Sequence, residues 1–81
     1  MITLAIINTS TNTCENISVD DRPIEEIVLP DPYIVKDLYT TPAINWIWNE
    51  TTNQWDSVEC VGGIGYAWDG TKLIAPLPPT P

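Results

Sequence analysis

Ile44-Asn45-Trp46-Ile47-Trp48-Asn49-Glu50-Thr51-Thr52-Asn53-Gln54-Trp55-Asp56-Ser57-Val58-Glu59-Cys60 is the stretch that decides the fold. Ile44, Trp46 and Trp48 alternate with Asn45, Ile47 and Asn49, and a period of two marks a half-buried strand, whose successive side chains point to opposite faces. The polar run after it is rich in Asn and Thr, the chemistry of a reversing loop, because Asn tolerates φ > 0 and its side chain bonds the backbone two residues on. Trp55 to Cys60 then returns. The reading is a hairpin that pairs Ile44 to Trp48 with Trp55 to Cys60.

The same pattern occurs near the other end. Ile7-Asn8-Thr9-Ser10-Thr11-Asn12-Thr13-Cys14 lies over Trp48-Asn49-Glu50-Thr51-Thr52-Asn53-Gln54-Trp55 without a gap, so that Asn8 meets Asn49, Thr11 meets Thr52 and Asn12 meets Asn53. Convergence on one loop type is the preferred explanation, with an internal duplication as the alternative. The first hairpin pairs Ile2 to Ile7 with Cys14 to Val19, with Ile2, Leu4 and Ile6 sharing a face. Further on, Ile64, Tyr66 and Trp68 alternate with Gly65 and Ala67 up to Asp69-Gly70. Asp-Gly between strand formers is a hairpin signal, expected as a type I′ turn with φ > 0 at both central positions, after which Lys72 to Ala75 returns antiparallel. Gly62-Gly63-Ile64-Gly65 has no Lys-Ser or Lys-Thr after it and reads as a bulge or close backbone contact, not a phosphate loop.

Between the long hairpins, Asp20-Asp21-Arg22-Pro23-Ile24-Glu25-Glu26-Ile27 offers an N-cap candidate, an early proline and acids in the first turn, hence one short helical turn that Pro30 ends. Pro30-Asp31-Pro32 is a stiff turn, and Tyr33 to Leu38 a further strand with Thr40-Thr41-Pro42 as its exit. The expectation is an all-β or β-rich domain over residues 1–75, a small antiparallel sheet of two to three hairpins with one helical turn. Residues 76–81, Pro76-Leu77-Pro78-Pro79-Thr80-Pro81, form an extended arm of polyproline II kind, because proline gives a sheet no donor.

Composition bounds the function. A chain of 81 residues makes one domain with a thin core. Its net charge of −8 comes from eleven acids against Arg22, Lys36 and Lys72, which stand far apart. Phosphate contacts need clustered basic residues, so nucleic acid is an unsuitable partner, and anionic membrane likewise. No apolar run approaches a membrane span and no basic segment opens a signal sequence, which points to synthesis in a cytoplasm. There Cys14 and Cys60 are expected as free, partly buried thiols.

Histidine is absent, and with it the commonest general base and zinc ligand. Asp20-Asp21 and Glu25-Glu26 read as solvated acids, so the expectation is a protein without enzymatic activity, cofactor, metal or small-molecule substrate. Asn8-Thr9-Ser10, Asn16-Ile17-Ser18 and Asn49-Glu50-Thr51 match a glycosylation pattern that has no meaning without a secretory signal. The aromatic set, four Trp and three Tyr with no Phe, suits half-buried contact surfaces. The candidate contact residues are Trp55, which opens its strand beside a polar loop, and Pro76, Leu77, Pro78 and Pro79 of the arm.

Gly65-Tyr66-Ala67-Trp68-Asp69-Gly70-Thr71-Lys72-Leu73-Ile74-Ala75-Pro76 resembles the C-terminal element of many short proteins of tailed bacteriophages, which end in Gly-aromatic-x-aromatic-Asp-Gly-x-x-hydrophobic and then proline. Leu4-Ala5-Ile6-Ile7 with Asn16-Ile17-Ser18-Val19 is similar to their opening hairpin, and Trp46-Ile47-Trp48-Asn49 is similar to versions in myoviruses of cyanobacteria. The resemblance implies a non-enzymatic virion structural or accessory protein that contacts a phage capsid or tail protein and possibly itself. Residues Tyr66, Trp68, Asp69 and Gly70 enter it as a structural hairpin. The alternative is a phage-made acidic inhibitor of a host protein, its charge suited to a basic surface. A lone sheet of this size has open edges, so edge pairing or self-association is expected.

Overall fold

The computed structural model describes residues 1–79. In chain order it contains β1 (Ile2–Asn8), β2 (Thr13–Asp20), a 3-10 turn (Ile24–Glu26), β3 (Tyr33–Asp37), β4 (Ala43–Asn49), β5 (Gln54–Cys60), β6 (Ala67–Trp68) and β7 (Leu73–Ile74). All seven strands join one sheet in the order β3-β1-β2-β6-β7-β4-β5. The chain is thus all-β, built on the hairpins β1–β2, β4–β5 and β6–β7.

The two long hairpins close through the same loop. In the first, Asn8 Oδ1 accepts the N–H groups of Ser10 at 2.9 Å and Thr11 at 3.4 Å; in the second, Asn49 Oδ1 accepts those of Thr51 at 2.9 Å and Thr52 at 3.2 Å. Each loop ends on an asparagine in the left-handed region, Asn12 at φ 54° and Asn53 at φ 55°. Each opening asparagine also donates from Nδ2 to an acid across the ladder, Asn8 to Glu15 and Asn49 to Asp56.

The third hairpin departs from the type I′ expectation. Its ladder pairs Ala67 with Ile74 and Trp68 with Leu73, and positive φ falls on Gly70 but not on Asp69. Asp69 instead uses its carboxylate, whose Oδ1 accepts the N–H groups of Thr71 and Lys72, each at 2.8 Å. The acid spans the turn with its side chain and needs no strained backbone. The strand before it is also shorter than the alternation of Ile64, Tyr66 and Trp68 promises, since Ile64 and Gly65 turn, with Gly65 at φ 90°.

The sheet is mixed. β7 runs back from β6 and lies parallel to the start of β4, with Leu73 N–H donating to the Pro42 carbonyl at 2.9 Å and Ala75 N–H to that of Ile44 at 3.0 Å. The helical turn forms without the side-chain cap expected of Asp20 or Asp21: Pro23 occupies the cap position, and Asp20 is held by Arg22 at 2.7 Å.

The core cluster consists of Ala5, Ile7, Cys14, Leu38, Ala43, Trp68 and Leu73. It lies on the face of β1 opposite the one that Ile2, Leu4 and Ile6 share. A register shift between Ile6 and Ile7 explains how β2 serves it: Ile7 pairs with Cys14 while Ile6 pairs with Asn16, leaving Glu15 as an extra residue. Cys14 and Ile17, three positions apart, would otherwise point to opposite faces. Gly62 crosses over the cluster so closely that an added Cβ would lie 2.6 Å from Leu73 Cδ1, the close contact anticipated for the glycine run.

The molecule measures 47 × 25 × 17 Å, with a radius of gyration of 14.2 Å. A compact chain of this length has about 12 Å. The excess is that of a single layer: two long ribbons meet at a hairpin of two-residue strands, and among the described residues no second sheet covers them.

Candidate contact surfaces

Hairpin β4–β5 carries most of the tryptophan. Opposed pairs share a face, so Trp48, Trp55, Trp46 and Ser57 lie together, with Ile47 and Val58 on the reverse. Trp48 and Trp55 pack edge to face, ring centroids 5.2 Å apart. Trp55 is half-buried, and its Nε1 is covered with no hydrogen-bond acceptor among the described residues. Trp68, by contrast, belongs to the core, and Lys36 Nζ stands 5.7 Å from its ring centroid.

The arm is anchored by a different tryptophan from the one singled out in the sequence. Trp46 Nε1 donates to the Ala75 carbonyl at 2.7 Å. That bond occupies the carbonyl which would otherwise continue the β4–β7 ladder, and Trp46 N–H turns to Asn45 Oδ1 at 2.8 Å. Pro76 cannot donate, so pairing stops there. Beyond it Pro76, Leu77 and Pro79 are exposed and Pro78 is partly buried; Thr80 and Pro81 of the expected arm lie outside the described residues. The arm and Trp55 are not brought together by any hydrogen bond among the described residues.

The sheet edges form the second surface. Ile44 directs its backbone to β7, so by alternation Ala43, Asn45, Ile47 and Asn49 face β5 and are met by Cys60, Val58, Asp56 and Gln54. Trp55, Ser57 and Glu59 therefore point their N–H and C=O groups outward, and β5 ends the strand order. The opposite edge, β3, is bordered by the segment around the helical turn across an open cleft of about 640 Å³ that includes Ile24, Ile27, Leu29 and Lys36. This outward row on β5 was legible in principle, since the hairpin register fixes it once the loop length is known.

Electrostatics add no reactive cluster. Arg22 bonded to Asp20 holds that carboxyl down at about 2, and the N–H groups of Thr71 and Lys72 lower Asp69. Burial pushes the Cys14 thiol up, and burial together with the Cys60 thiol raises the Tyr66 phenol, the two side chains lying 3.8 Å apart. Cys14 and Cys60 are free thiols. Among the described residues no group of His, Cys, Asp or Glu gathers to hold a metal ion, and no helix is long and apolar enough to cross a membrane.

No protein-family model matches the chain, and no curated protein or solved structure matches it either.

Proposed function

We propose that the chain is a non-enzymatic structural protein of a tailed-phage virion, acting through protein contacts as a capsid-decorating or tail-associated module. The observation that carries this reading is the single-layer sheet whose outer strand β5 has an open edge. Backbone groups on such an edge are satisfied by water or by another chain, and a strand added to an edge is a common mode of protein association. Exposed apolar residues on the same elements, Ile47 and Val58 of the second hairpin and Leu77 of the arm, extend the contact surface. The bacteriophage resemblance of the terminal hairpin supplies the setting.

Quantitative mass spectrometry of purified virions, scaled to the major capsid protein, tests it. Copy numbers near that of the capsid protein mean decoration and a few copies mean the tail. Absence from particles together with abundance in infected cells overturns the proposal. The charge favours one second reading, an acidic modulator of a host protein: eleven acids face three basic residues, a balance suited to a basic surface. Salt-sensitive capture of a single host protein distinguishes it. Deleting Pro76 to Pro81 removes particle association if the arm is the anchor, and leaves an inhibitor acting through its acidic face unaffected.

A further inference from the structure

We propose that β5 is a self-pairing edge: two copies join antiparallel through β5 about a two-fold axis at Ser57, making one continuous sheet. The argument starts from the outward row. Trp55, Ser57 and Glu59 direct their backbone groups away from β4, and no described residue meets them. An axis at Ser57 matches Ser57 with Ser57 of the second copy and Trp55 with its Glu59, so every outward residue of the strand enters a hydrogen-bonded pair.

Charge selects this register. With the axis at Ser57, Asp56 stands opposite Val58 of the second copy and Glu59 opposite Trp55, so no acid directly faces an acid. An axis at Asp56 would set that carboxylate against itself. An axis at Val58 matches Ser57 with Glu59 but carries Trp55 past the strand end, opposite Val61, and gives up hydrogen-bonded pairs. The remaining like-charge approach at Ser57 is the diagonal one between the two Asp56 side chains, about 7–8 Å apart, a repulsion that salt relieves.

The edge also lacks several of the devices that block pairing. β5, Gln-Trp-Asp-Ser-Val-Glu-Cys, holds no proline and no lysine, and its pairing with β4 runs without a register shift. The β3 edge carries Lys36 and has the helical-turn segment beside it. A contact confined to one seven-residue strand is well under the area of a stable obligate dimer, so the association is weak. The inference shares the open edge with the virion reading but stands independently of whether the chain is carried in particles.

Sedimentation equilibrium of the full chain from low micromolar to sub-millimolar concentration is the first test, and a monomer–dimer equilibrium that tightens with salt is expected. Ser57→Pro removes an outward donor and leaves the β4 ladder intact, so it weakens dimerisation at least tenfold while near-ultraviolet dichroism of the Trp48–Trp55 pair persists. In a Cys60→Ser background, Ser57→Cys oxidises to a disulfide-linked dimer, because hydrogen-bonded antiparallel partners have Cα atoms about 5.5 Å apart, and Val58→Cys does not. A chain that stays monomeric throughout overturns the proposal. So does a dimer in which Ser57→Cys fails to link or Val58→Cys links instead. If Ser57→Pro unfolds the hairpin, the disulfide pair still decides.

Discussion

Asn12 and Asn53 hold the reversal of each long hairpin at φ 54° and 55°, a region where a β-carbon meets the following carbonyl and where asparagine is the best-tolerated residue after glycine. Replacing either by alanine is expected to cost about 1 kcal/mol, and replacing it by glycine much less. Urea denaturation of the four single variants checks this, and equal losses for alanine and glycine at one site would mean that strain is not the cause. Asp20 gives a second residue-scale prediction. Its carboxyl is held at about 2 by hydrogen bonds from Arg22, below the ordinary value of about 3.9. A depressed folded-state pKa contributes stability that is present above the unfolded value and lost as pH falls through the folded one. The Asp20 contribution therefore fades between roughly pH 4 and pH 2. Side-chain carboxyl NMR of the wild type should follow a midpoint near 2, and Arg22→Ala should return it toward the ordinary range. An unchanged midpoint in that variant would refute the cause.

The hairpins show what a sequence discloses at the level of elements. Alternation along Ile44 to Asn49 and the matched Asn-Thr loops were sufficient to place β1, β2, β4 and β5 within a residue or so, because a buried face and a loop of defined chemistry together fix the register. The inserted Glu15 was not legible: nothing in the composition of β2 announces a bulge, and its effect, turning Cys14 and Ile17 to the same face, needs the partner strand to be seen. The Asp69-Gly70 turn was placed correctly and misread in geometry, since an aspartate can bridge a turn by its side chain as well as by adopting positive φ. At the arm, the sequence marked Pro76 to Pro79 but not their anchor, because the link from Trp46 to Ala75 joins residues far apart in the chain. That anchor is testable. Trp46→Phe keeps an aromatic ring and removes the donor with the rest of the indole; the freed Ala75 carbonyl and lost bond are expected to cost about 1 kcal/mol, and the lost packing adds to it. The prediction is faster proteolysis at the arm with the hairpin ladder still protected from amide exchange. Loss of protection along β4 and β5 as well would show that the indole bond holds the hairpin and not the arm.

Across the whole molecule the arrangement sets a thin layer against a large charge. Eleven acids and three basic residues give −8 on a body of 47 × 25 × 17 Å, and among the described residues Arg22 with Asp20 is the salt bridge present. Repulsion among unpaired acids opposes compaction, whereas an exposed ion pair returns little. Raising potassium chloride shortens the screening length from about 30 Å at 0.01 M to about 3 Å at 1 M, so distant acids cease to act on one another first and near neighbours later. The melting temperature should therefore climb by several degrees, most steeply at the low end where the screening length falls below the 25 and 17 Å shorter extents of the molecule. A chloride salt keeps the test clear of the general stabilisation that sulfate gives by exclusion from the surface. Because β5 pairing also strengthens with salt, the melt belongs at low micromolar concentration, repeated with Ser57→Pro. A rise shared by both chains belongs to self-repulsion within one molecule. A rise confined to the wild type belongs to the edge contact, and a fall in both would mean that attractive surface pairs outweigh repulsion despite the net charge.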